Sequence, residues 1–223
     1  MNTSSWVRLA GAFALAAVAA CGANHSPTYA DPPQGEAAAI VRARADSARK
    51  PYVKADVDFM SGMIYHHAQA IVMANWADSN EAGPAVKVLC GRIINAQRDE
   101  IRILQGWLRD RNQPIPEPRA AGMPMMMNGT MQNMLMPGML SPEQMATLRA
   151  AKGGDFDRLF LQDMIQHHKG AVQMVKDLFA SEGAAQNDIV FKVASDINVD
   201  QTTEIARMEK MLVVDDILSG NSQ

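Results

Sequence analysis

Apolar residues recur at three- and four-residue spacing through residues 52–78, 85–111, 156–181 and 188–218, which predicts four long amphipathic helices. Gly83-Pro84 separates the first two and Glu182-Gly183 the last two, so each pair reads as a helical hairpin. Between the hairpins, Pro114, Pro116, Pro118, Pro124 and Pro137 break any periodic pattern, and residues 114–140 are expected to form an irregular linker rich in methionine. Ser141-Pro142-Glu143-Gln144 has the order of an N-cap, a first-turn proline and a capping-box glutamine, opening a short helix that runs to Lys152 and ends at Gly153-Gly154. Residues 22–50 are small and polar, with Pro27, Pro32, Pro33 and Gly35 early on, as in a flexible tether that turns helical late. The organisation expected is a first hairpin over 51–113, the linker over 114–140, and a short helix plus second hairpin over 141–219. Together these make one domain.

The two hairpins are an internal repeat. The segment from Asp56 through Phe59, Met63, His66 and His67 to Met73 aligns without a gap on Asp157, Phe160, Met164, His167, His168 and Met174. In the second helices, Gln97, Glu100 and Ile101 align on Gln201, Glu204 and Ile205. Two hairpins that each expose an apolar face bury it by packing together, which predicts an all-α four-helix bundle with a pseudo-twofold relation.

Four of the five histidines fall in the two matched pairs. On a helix, Met63 neighbours His66 and His67 at i+3 and i+4, with Met73 further along nearly the same stripe; Met164, His167, His168 and Met174 repeat this. Thioether with imidazole suits a soft or borderline metal, copper above all, with Cu(I) favoured by the thioethers, while calcium and magnesium fit poorly. The competing reading is core methionine beside hydrogen-bonded histidine. Gln97, Glu100, Gln201 and Glu204 share stripes with apolar residues, so they can point inward and orient the imidazoles. Neutral imidazole is the binding form, so affinity is expected to fall as pH drops through the histidine range. Asp56 and Asp157 read as first-turn acids. In the linker, Met123, Met125, Met126, Met127, Met131, Met134, Met136 and Met139 form a second candidate copper site, or an adaptable partner surface, or an oxidant trap.

Charge changes the picture little: 21 basic against 24 acidic residues, in no long block, argues against a nucleic-acid partner. The apolar run over residues 9–20 is too short for a membrane span of ~20 residues and reads as a signal peptide over 1–20. It closes on Val18-Ala19-Ala20-Cys21, which resembles a bacterial lipobox. Lipid on Cys21 would hold an exported protein to a membrane, leaving Cys90 as a single buried thiol with no disulfide partner.

The paired segments 59–73 and 160–174, with Gln97-x-x-Glu100 and Gln201-x-x-Glu204, resemble the bacterial family called domain of unknown function 305. The resemblance implies a ferritin-like four-helix bundle, export, and in some members copper binding. It implicates Met63, His66, His67, Met73, Met164, His167, His168 and Met174. Leu104 departs from the pattern where the second repeat has Met208, which weakens the first half-site if that methionine is used. The function expected is non-enzymatic copper sequestration or handling outside the cytoplasm. The alternative is an envelope interaction module without metal, with the methionine linker as docking surface. A ferritin-like di-metal oxidase fits less well, because Met63 and Met164 stand where Glu-x-x-His would need glutamate.

Overall fold

The computed structural model describes residues 34–49 and 51–220. The signal peptide and the lipid site at Cys21 lie outside the described residues. Among those described, six helices and one two-stranded sheet follow in the order α1 (Glu36–Arg49), α2 (Lys54–Asn75), α3 (Pro84–Asp110), β1 (Met123–Met127), β2 (Thr130–Met134), α4 (Pro142–Ala150), α5 (Gly153–Ala180) and α6 (Asp188–Gly220). None of the helices is long and apolar enough to cross a membrane.

The packing follows the repeat. α2 lies along α3 and α5 along α6, the two hairpins join chiefly through α2 and α5, and α3 touches α6 only slightly. Met63 and Met174 share one buried cluster with Leu104 and Trp107, whereas Met73 and Met164 share another with Met208 and Cys90. α2 and α5 therefore pass in opposite directions, and the paired histidines meet at the crossing.

The two leading acids lock the hairpins reciprocally. Asp56 accepts from Val53 N–H at 2.9 Å as a first-turn acid, and from Ala185 N–H at 2.7 Å in the turn of the other hairpin. Asp157 accepts from Gly83 N–H at 3.0 and 3.1 Å, in the turn that opens α3. Ala185 holds φ at +56°, a left-handed conformation that a non-glycine residue adopts at a cost, and its bond to Asp56 offsets that strain.

Three local expectations need correction. Glycines 153 and 154 do not end the short helix. α4 stops at Ala150, and Gly153, at φ +54° with its N–H on Asn80 O, begins α5. The linker is not irregular throughout. Asn128 and Gly129 both take positive φ, as a tight hairpin turn requires, and β1 pairs antiparallel with β2 from Met123↔Met134 to Met127↔Thr130. Pro124 is tolerated because a two-stranded ribbon consists of edges. The stretch read as tether is helical from Glu36. The capping box at Ser141 forms with Gln144 in both directions.

Candidate metal centre

Each histidine pair is carried mid-helix and is fully buried. Within a pair the neighbouring rings diverge, with centroids 6.3 Å apart in both repeats. The close approach is between helices: the rings of His66 and His167 lie 3.8 Å apart and tilted by 39°. Convergence is thus across the pseudo-twofold, where one helix alone would not bring it about.

Three of the four imidazoles are oriented through Nε2. His66 donates its Nε2–H to the Pro137 carbonyl at 3.0 Å, which can only accept, so its Nδ1 carries a bare lone pair. His168 Nε2 is 2.7 Å from Glu204 Oε2. His67 Nε2 is 2.8 Å from Glu100 Oε2, but off the line that a full hydrogen bond needs. Nδ1 of His66, His67 and His168 meets no partner, and neither does either ring nitrogen of His167. Buried nitrogens are seldom left so. A carboxylate or carbonyl on one ring nitrogen and an open lone pair on the other is the arrangement that metal-binding imidazoles use.

Burial holds two of the four rings, His66 and His167, in the neutral form. Burial, then repulsion from His67, pushes His66 down to about 3, with the Pro137 carbonyl acting in the opposite direction. Burial, then His66 and His168, holds His167 well below the ordinary histidine range. The fall in affinity expected across that range is therefore displaced to far more acid pH for these two rings.

Thioethers flank the imidazole layer. Met63, Met73, Met164 and Met208 are fully buried and Met174 nearly so, with Met63 and Met174 towards one end of the α2–α5 crossing and Met73, Met164 and Met208 towards the other. Among the described residues, no three His, Cys, Asp or Glu side chains gather closely enough to hold a metal ion. What the two helices offer is buried imidazole and buried thioether, soft and borderline donors that suit copper better than a hard cation.

The linker methionines divide. Met136 and Met139 are buried in the same cluster as Met63 and Met174, and Met136 N–H donates to Met139 Sδ at 3.3 Å. Met123 packs against that cluster. Met125, Met126, Met127, Met131 and Met134 are exposed, with Met126 (65%) and Met131 (64%) paired directly across the hairpin.

Gln97 and Gln201 are buried beside the carboxylates of Glu100 and Glu204. Cys90 is a buried free thiol pushed up to about 12 by burial, then by Asp157 and Asp78, so it is no ready ligand.

Sequence reasoning missed three participants. Gln69, buried on α2, donates to Ala120 O (3.1 Å) and Leu140 O (3.0 Å) and accepts from Leu140 N–H (2.7 Å), clamping the linker on either side of the β1–β2 hairpin. Gly170, at the matching position of α5, lets the linker backbone cross: a Cβ there would stand 1.9 Å from Pro137 O. The third is the Pro137 carbonyl itself. A buried glutamine opposite a glycine in an otherwise matched repeat was the available signal for the first two.

The profile of the family described as Domain of unknown function (DUF305) matches residues 56–212. A DUF305 protein from Streptomyces coelicolor described as secreted is similar in structure, with TM-score 0.60, 26% identity, and coverage of 72% of this chain and 93% of that one. A DUF305 fragment from Deinococcus radiodurans gives TM-score 0.59, 29% identity, and coverage of 73% and 98%. CopM in its Cu(I)-bound form gives TM-score 0.52, 28% identity, and coverage of 70% and 94%; it has also been solved with Cu(II) bound. A 56-residue stretch is 36% identical to the uncharacterized protein L153 of Acanthamoeba polyphaga mimivirus, spanning 25% of this chain and only 37% of that relative's length.

Proposed function

This chain belongs to the DUF305 family, and we propose that it is an extracytoplasmic copper-binding protein that holds Cu(I) at the crossing of α2 and α5. The observation that carries the reading is the set of buried Nδ1 atoms on His66, His67 and His168 that meet no protein partner, while their Nε2 atoms face Pro137 O, Glu100 and Glu204. His167 and the thioethers of Met63, Met73, Met164, Met174 and Met208 complete the donor set. The four long helices serve as a ferritin-like bundle whose core is this centre. Cu(I) is favoured over Cu(II) because thioether and neutral imidazole are soft or borderline donors. The likeness to CopM, solved with Cu(I) and Cu(II), supports copper.

The role is binding and transfer, not catalysis: all four imidazoles are fully buried, which suits holding an ion more than turning over a substrate. Lipid on Cys21 keeps the domain on its membrane, and the exposed methionines of the β1–β2 hairpin offer a shallow capture site or a docking surface for an envelope partner. Competitive Cu(I) titration of the full chain in mild detergent tests this. It is run beside a variant with all four paired histidines changed to alanine, and a second in which residues 123–134 are excised and Gly122 is joined to Leu135. Tight binding that vanishes in the histidine variant, with helicity retained, supports the buried centre. Loss only on excision moves the site to the hairpin. A parent that binds no Cu(I) sinks the copper reading and leaves the metal-free interaction module.

A further inference from the structure

α3 and α6 touch only slightly, and a cavity of about 370 Å³ lies between them. Its walls include Gln97 and Glu100 from α3, and Asp200, Gln201 and Glu204 from α6, with Arg92 as the basic residue among its lining. Glu100 and Glu204 line the cavity, and the same carboxylates stand 2.8 Å from His67 Nε2 and 2.7 Å from His168 Nε2. One layer of carboxylate thus separates the cavity from fully buried rings.

Two features mark this cavity as built for a cation. Three carboxylates outnumber the one guanidinium, and the negative field shows in Asp200, whose carboxyl is raised first by burial and then by Glu100 and Glu204. Independently, Gln97 is 2% exposed with neither amide atom hydrogen-bonded, and Gln201 is 3% exposed with its Oε1 unpartnered. Buried amides are rarely left open in this way. An amide oxygen facing an acidic cavity is a replacement for water on an arriving cation.

We propose that the α3–α6 cleft is the port through which a soft monovalent cation reaches the buried imidazoles. Asp200, Glu100 and Glu204 concentrate the ion at the mouth, Gln97 and Gln201 replace part of its hydration shell, and His67 and His168 receive it. This rests on the copper reading above and adds the route. The linker side of the site, closed by Pro137 against His66, is the competing way in.

Stopped-flow loading of the full chain in mild detergent with Ag⁺, in chloride-free nitrate medium, tests the port. Ag⁺ stands in for Cu(I) as a soft monovalent ion without redox chemistry, and quenching of tryptophan fluorescence reports arrival, Trp107 being in the same cluster as Met63. The probes are Asp200→Lys and Ala96→Arg, both exposed positions on the cleft. Glu182→Lys, the same charge change as Asp200→Lys but in the exposed part of the α5–α6 turn, is the control. Each cleft variant is expected to slow association roughly tenfold at low ionic strength, with a flatter salt dependence than the parent, while equilibrium Ag⁺ affinity changes much less and the control matches the parent. Parental association rates in both cleft variants overturn the port while leaving the buried site standing. A parent that binds neither Ag⁺ nor Cu(I) overturns the port and the copper reading together.

Discussion

Replacing Gly170 with alanine should unseat the linker and the buried histidine cluster at once. The added Cβ would lie 1.9 Å from Pro137 O, 2.4 Å from Pro137 C and 2.6 Å from Gly138 Cα, far inside the ~3.5 Å of an ordinary nonbonded approach. All three contacts are backbone, so no rotamer change relieves them. Gly138 is itself held at φ +77° against α5, so the loop has little room to slide. The linker must then withdraw by more than ~1 Å, which stretches the 3.0 Å bond from His66 Nε2 to Pro137 O past the hydrogen-bonding range. Alanine's higher helix propensity returns ~1 kcal/mol. Against it stand ~1–3 kcal/mol for overpacking and ~1–3 kcal/mol for the orphaned buried pair. The net expectation is a loss of about 3 kcal/mol, read as a lower urea midpoint, together with weaker Cu(I) binding because His66 is no longer fixed with Nδ1 open. Gly91→Ala on α3, where a Cβ meets nothing within 4 Å, should instead match or exceed the parent. A Gly170→Ala chain as stable as the parent would refute the account of the crossing.

Four further outcomes follow from the same geometry. His66 titrates near 3 when folded against 6.5 when exposed, so the native state binds fewer protons between those values; its contribution is fully present above pH ~6.5 and is lost as pH falls toward 3, on the order of 5 kcal/mol over the window. A pH series of urea midpoints for the metal-free chain should fall on acidification, more steeply than for His66→Gln, and equal slopes would contradict the buried neutral ring. Asp56→Ala strips the acceptor from Val53 N–H and Ala185 N–H in a fully buried setting and should cost about 3 kcal/mol or more in thermal unfolding, with Asp56→Asn milder. Cys90 should resist alkylation at pH 8 until the chain unfolds, and rapid labelling of the native protein would show the thiol to be neither buried nor suppressed. Leu104→Met supplies the thioether that Met208 has in the second repeat and should tighten Cu(I) binding severalfold at little cost in stability; unchanged affinity would place that position outside the donor set.

The long helices, their turns and the repeat were legible because each rests on local periodicity or on gapless self-similarity. The Met/His-His stripes were legible for the same reason. What could not be read was which stripe faces which. Met63 keeps company with Met174 and Met73 with Met164 because α2 and α5 run in opposite directions, a relation between helices that no single-helix spacing contains. The methionine hairpin does carry a signal, since Asn128-Gly129 sets two successive residues at positive φ, but the prolines around it break the periodic pattern that would mark its strands. The Pro137 carbonyl could not have been named at all, since every residue has one and only tertiary placement gives this one a histidine.

The repeat is informative where it fails. A chain made of two equal hairpins has one linker between them, and that linker can close only one side of a pseudo-symmetric centre. Gln69 clamps it while its counterpart Gly170 makes room for it, and the linker's Pro137 orients His66. His167, the counterpart of His66, has no second linker to meet, and neither of its ring nitrogens has a hydrogen-bond partner. The second hairpin compensates with a better aligned carboxylate at His168 and an extra thioether at Met208. On the far side, where α3 and α6 part, the layer faces carboxylates and amides in place of backbone and methionine. A repeat joined by a single linker thus has two chemically different faces on one imidazole layer. One face is closed by the linker and its methionines, and the other opens on a cavity lined by carboxylates and amides.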